Sequence, residues 1–142
     1  MNLTMFDREY GSLATIGITV SQANTTVEPE MAALMPNGVS MLIGQLQGCR
    51  VNSRNRLLKY LGNFGETLSH FDTAPLDDVG YACSATSYLI GDEQEERRIG
   101  EFSAKGGFPI ATAAQAMYIE SQPKWFLTAL NTKTGQALMR WS

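Results

Sequence analysis

The chain has 142 residues, 44% of them hydrophobic, 18% charged and 9% aromatic, with a formal net charge of −3. That length fits one domain with a core of its own, and the composition excludes a disordered, collagen-like or coiled-coil chain. The acidic balance argues against nucleic acid or an anionic membrane as partner, although a local site can still be positive.

Ala14–Val20 is a short β-branched run bounded by polar residues and reads as a buried strand. A small polar loop, Ser21–Thr26, follows. Thr25-Thr26-Val27-Glu28 has the form of a capping box, with Pro29 acceptable in a first turn. A helix is therefore expected to about Met35, where Pro36-Asn37-Gly38 stops it. Val39–Leu46 is the second strand. Leu57, Leu58, Leu61, Phe64 and Leu68 recur at helical spacing and predict one amphipathic helix over roughly Ser53–Ser69, with Gly62 and Gly65 as its weak points. Asp78–Ala82 is a third strand ending at Cys83. Asp92–Lys105 places Glu93, Glu95 and Glu96 ahead of Arg97 and Arg98, an order that suits a helix dipole, and Gly106-Gly107 closes it. Phe108–Thr112 is a fourth strand and Ala113–Ile119 is helical. In the tail, Phe126, Leu127 and Leu130 suggest a short helix, Asn131–Gly135 a turn, and a last element carries Trp141. Strand alternating with helix four times predicts an α/β fold: a small doubly wound parallel four-stranded sheet with helices on both faces.

In such sheets ligands bind outside the carboxyl ends of the strands. Two loops are expected there, Ser21–Thr26 and Cys83–Ser87. A cysteine in the second is placed to act as a nucleophile, because successive backbone N–H groups of Ser84, Ala85 and Thr86 would hold an anion and favour a thiolate. The other reading of Cys83 is a small buried hydrophobe. Asn24 can donate its amide to the same anion without adding charge, or serve as a turn or cap residue. Cys49 lies in a polar loop with no base in its sequence neighbourhood. His70 ends a helix, where a cation suits the dipole. Asp77-Asp78 reads as a solvated turn at the wrong end of the sheet, and Glu93–Arg98 as a solvated helix face. Two cysteines and one histidine make neither a disulfide framework nor a zinc centre, and no glycine-rich phosphate loop is present, so no zinc and no nucleotide cofactor are expected. No apolar run approaches the roughly 18 residues of a membrane span, and Met1–Tyr10 is no signal sequence, so the expected location is cytoplasmic.

Both loops resemble one family. Ile16–Glu30, running Ile-Gly-Ile-Thr-Val-Ser-Gln-Ala-Asn-Thr-Thr-Val-Glu-Pro-Glu, is similar to the opening of the maleate cis-trans isomerase and arylmalonate decarboxylase family, within the aspartate/glutamate racemase superfamily. Tyr81–Gly91 resembles that family's YACTSGSYLxG segment, and Gly107–Ala116 its GxPVTTTAQA segment. The three matches fall in the family's order. The resemblance implies one lobe of a two-lobed, cofactor-free enzyme whose active site lies between the lobes. In the isomerases a cysteine at the Cys83 position adds to the double bond of a small dicarboxylate, which rotates and expels the thiolate. Asn24, with Thr25 beside it, and the N–H groups of Ser84, Ala85 and Thr86 would bind the carboxylates. The racemases use two cysteines, one from each lobe. The decarboxylases typically lack the first-lobe thiol, so Cys83 points to the isomerase or racemase side. Residues 14–118 are expected to form the lobe and 119–142 a divergent tail, with the second lobe absent and the chain a truncated or frame-altered family member. A homodimer could then complete the cleft. The alternatives are an arylmalonate-decarboxylase-like lyase and an inactive lobe that only binds anions or self-associates.

Overall fold

The structure, a computed structural model, describes residues 10–120; the tail from residue 121, with its expected helix, turn and last element, lies outside the described residues. Four strands form one parallel sheet in the order β2-β1-β3-β4: β1 (Ala14–Ser21), β2 (Val39–Leu46), β3 (Asp78–Ala82) and β4 (Ile110–Thr112). Among the described residues six helices join or follow them: α1 (Val27–Leu34), α2 (Ser53–Gly62), α3 (Phe64–Ser69), α4 (Ser84–Ile90), α5 (Asp92–Gly106) and α6 (Ala113–Glu120). This is the expected α/β architecture. No helix among the described residues is long and apolar enough to cross a membrane.

The central strand shows why the sheet takes this form. β1 is buried along almost its whole length, as a parallel strand covered on both faces must be. Its β-branched side chains suit that pleated, doubly packed position, and Thr19, fully buried, donates its hydroxyl to the Gly80 carbonyl of β3 at 3.1 Å. β1 lies beside β2 from Ala14–Val39 to Ser21–Leu46, and beside β3 from Ile16–Asp78 to Val20–Ala82. Period-two alternation then divides the core. Ile16, Ile18 and Val20 face α1, packed by Val27, Met31 and Met35. On the opposite face Val79, Tyr81 and Cys83 pack with Leu46, Tyr60, Leu61, Phe64 and Ile99. Phe64 is fully buried and meets Tyr81 and Phe102 edge-on, with centroids 4.9 and 5.0 Å away. Phe71 lies so close over Gly17 and Gly44 that a β-carbon on either would come within 3.0 Å of its ring.

Four local expectations need correction. The helix expected over Ser53–Ser69 is two helices, because Asn63 leaves helical geometry (φ −93°, ψ 5°) and its side-chain amide donates to the Gln47 carbonyl at 3.0 Å. The start of α1 has no capping box. Thr26 is the N-cap residue but gives no side-chain cap; Asn24 Oδ1 accepts instead from the N–H groups of Thr26 and Val27, each at 2.9 Å. Asp77-Asp78 is not a solvated turn. Asp78 is buried and accepts from its neighbour Val79 N–H, while Asp77 accepts from Thr15 N–H at 2.8 Å and so ties the start of β3 to β1. The Glu93–Arg98 face is not wholly solvated either, since Glu95 is buried and the Arg98 guanidinium lies 5.6 Å from the Phe102 ring centre.

Candidate functional site

The strand order decides where a ligand can enter. The chain leaves β1 toward β2 on one side and leaves β3 toward β4 on the other, so a crevice opens above the carboxyl ends of β1 and β3. Val20 and Ala82 are neighbours in the register. The residues that follow them, Ser21 and Cys83, begin the two loops singled out in the sequence. The β1–α1 loop and the start of α4 therefore stand side by side.

Cys83 ends β3 and is the N-cap residue of α4 (φ −141°, ψ 79°). The stretch after it, expected as a loop, is helical from Ser84, which corrects the reading of Cys83–Ser87 as an open loop. Cys83 is buried, 6% exposed. Its sulfur lies 3.2 Å from Thr86 Oγ1, and that hydroxyl donates to the Leu57 carbonyl of α2, also at 3.2 Å. A hydroxyl has one hydrogen. With that hydrogen on Leu57, the Cys83 contact is S–H donating to oxygen.

This arrangement divides the predicted anion-binding groups. Thr86 is fully buried, its hydroxyl is held by Leu57, and its N–H donates to the Cys83 carbonyl at 3.2 Å, so it supports the turn from inside rather than facing the crevice. Ser84 is half-buried and Ala85 exposed, and as the first two residues of α4 their N–H groups have no intrahelical acceptor. Asn24 and Thr25 are exposed in the opposing loop. The Asn24 carbonyl oxygen caps α1, which leaves its NH2 as the group that can meet an anion. Just before it, Ala23 adopts a left-handed conformation (φ 64°), uncommon for a residue with a β-carbon. His70 caps the end of α3 and is exposed, as its helix-terminal position suggested. Cys49 is half-buried in the β2–α2 loop.

Behind Cys83 lies a polar cluster that the sequence reading missed. Ser87 donates to the Glu95 carboxylate, both residues being buried. The Tyr81 hydroxyl is buried without a hydrogen-bond partner among the described residues. Burial pushes its phenol well above the ordinary tyrosine range, only partly offset by the nearby Thr86 side chain. Helical spacing held a signal for Glu95: it shares a face with Ile99 and Phe102, at i+4 and i+7. Among the described residues no group of His, Cys, Asp or Glu could hold a metal ion.

This fold is similar to that of the maleate isomerase Iso from Pseudomonas putida S16. A variant of that enzyme, in a crystal structure with maleate, aligns with a TM-score of 0.64 at 20% identity, over 76% of this chain and 48% of that one. The crystal structure of Iso itself aligns with a TM-score of 0.60 at 18% identity, over 76% and 49%. The likeness is one of fold, and the chain spans about half the length of the isomerase chains it matches. No family model and no curated protein matches the sequence.

Proposed function

We propose that this chain is one lobe of a cofactor-independent isomerase of the maleate type, in which Cys83 is the nucleophile toward a small cis-enedioate. One observation carries the reading: Cys83 at the carboxyl end of β3 and the exposed Asn24 of the β1–α1 loop follow neighbouring ends of two paired strands, in a fold similar to a maleate isomerase.

The chemistry follows from these groups. The thiol proton leaves to solvent. The thiolate pair then forms a C–S bond to one olefinic carbon, and the π pair moves onto the other carbon and its carboxylate. The remaining C–C single bond rotates. The pair returns, re-forms the double bond in the trans geometry and expels the thiolate, so atoms and electrons balance with no oxidant or cofactor. The N–H groups of Ser84 and Ala85 and the Asn24 amide would hold the carboxylates and the charge that develops on them. Thr86 supports the thiolate from behind by turning its hydroxyl hydrogen from the Leu57 carbonyl to the sulfur.

Proton NMR of maleate incubated with the purified chain and with its Cys83→Ala variant tests this. Fumarate should appear with the parent chain and be lost in the variant. Equal fumarate from both, or none from folded parent protein, would sink the isomerase reading; none together with maleate-dependent amide shifts around Ser84 would favour a lobe that binds anions without turnover.

A further inference from the structure

A second recess opens on the same edge of the sheet, beyond β1 and toward β2. It is a cavity of about 220 Å³ lined by Gln22, Ala23, Cys49, Arg50, Arg56 and Tyr60. These residues are far apart in the chain and come from the β1–α1 loop, the β2–α2 loop and α2. Three hydrogen bonds fix the β2–α2 loop that forms its floor. Gln22 Oε1 accepts from Gly48 N–H at 3.4 Å, Arg56 Nε donates to the Cys49 carbonyl at 3.2 Å, and Asn63 holds the Gln47 carbonyl. Gly48 is required for this closeness: a β-carbon there would lie 2.6 Å from Arg56 Cγ and 2.9 Å from Tyr60 Cε1.

The polar groups left over point to one kind of ligand. Arg56 is oriented through Nε, so its terminal N–H groups are not held by the loop. Arg50 also lines the recess. Tyr60, 3% exposed, closes its wall with the ring edge that lies over Gly48. Two arginines around one small recess match an oxoanion, which takes paired N–H donors in a plane. The volume falls below that of drug-sized sites, which begin near 300 Å³, so the ligand has few heavy atoms.

From these contacts we infer that the Arg50–Arg56 cavity is an anion site for a small dianionic ligand, a dicarboxylate or phosphate, separate from the Cys83 crevice. For its anion preference it does not depend on Cys83 being reactive; it rests on the isomerase reading only in favouring a dicarboxylate.

Amide NMR titration of the whole chain tests it with succinate, which has no double bond to isomerise, and with inorganic phosphate. The proteins are the parent, Arg50→Gln, Arg56→Gln, Cys83→Ala and, as a control for general charge, Arg97→Gln. Saturable shifts are expected at Gly48, Cys49 and Arg50. Each cavity substitution should weaken binding at least about tenfold, the cost of one charge-assisted contact, while Cys83→Ala and Arg97→Gln leave it unchanged. Succinate bound more tightly than phosphate assigns the dicarboxylate, and the reverse assigns phosphate. Shifts confined to Asn24 and Ser84 would overturn the cavity and keep the isomerase reading. Binding that survives both arginine substitutions, or no saturable shift in parent protein with a dispersed spectrum, would overturn it outright.

Discussion

Tyr81 is the residue whose chemistry is least matched to its surroundings. Its ring packs edge-on against Phe64, a contact worth about 0.5–1.5 kcal/mol beyond area burial, while its hydroxyl is buried without a partner among the described residues. Removing an unsatisfied buried hydroxyl restores no lost hydrogen bond, so Tyr81→Phe should leave stability at neutral pH unchanged or slightly higher. At alkaline pH the two proteins should part. Burial raises the folded-state pKa above the unfolded value of 10.0, so the folded chain keeps a proton that the unfolded chain gives up. Stability attached to that proton is complete below pH 10 and falls as the pH rises above it. Urea melts of both proteins across this range should show a steeper alkaline loss for the parent than for Tyr81→Phe; identical slopes would mean that Tyr81 is not protected from ionisation.

At the scale of elements, α4 is held less by apolar packing than by hydrogen bonds. Its buried residues are Thr86 and Ser87; one reaches the Leu57 carbonyl of α2 and the other the Glu95 carboxylate of α5. Thr86→Val keeps the shape of the side chain but removes the bond to the Leu57 carbonyl and the acceptor of the Cys83 thiol, and should cost about 0.5–1.5 kcal/mol. Thr86→Ser keeps the hydroxyl and should fall between the two in urea denaturation. If Val and Ser variants match the parent, the Thr86 bond does not fasten α4. The same element marks the limit of what the sequence discloses. β1, β2, β3 and α5 carry β-branched runs or ordered charge, and are legible because local preference and tertiary position agree. Ser84–Ile90 offers no apolar period and few helix formers, and only docking onto α2 and α5 makes it helical. Asn63 broke a helix that apolar spacing carried straight through, because its partner, Gln47, is a long-range one. In the crevice, the placement of Cys83 and Asn24 was legible from loop position and motif. The direction of the Thr86 hydroxyl and the burial of Glu95 were not, since each depends on a residue from another element.

The β1/β3 crevice is open above the described residues, and the match in fold covers about half of each isomerase chain. If catalysis needs a second wall, a second copy can supply it by facing its own β1/β3 edge across the first. Exposed apolar groups flank the carboxyl ends of the strands: Val51 in the β2–α2 loop is 77% exposed and Tyr88, one turn into α4, 68%. A two-fold dimer requires a self-complementary surface, and tyrosine is among the side chains that anchor interfaces. The expected outcome is reversible self-association in sedimentation velocity, weakened by Val51→Glu combined with Tyr88→Glu. Fumarate formation should follow the dimer. Below the dissociation constant the rate should rise with the square of chain concentration, and above it linearly. An excess of Cys83→Ala chain should alter the rate per parent chain by forming mixed dimers, whereas independent lobes would ignore it. A chain that stays monomeric at every concentration yet forms fumarate in strict proportion to its amount would show that one lobe suffices.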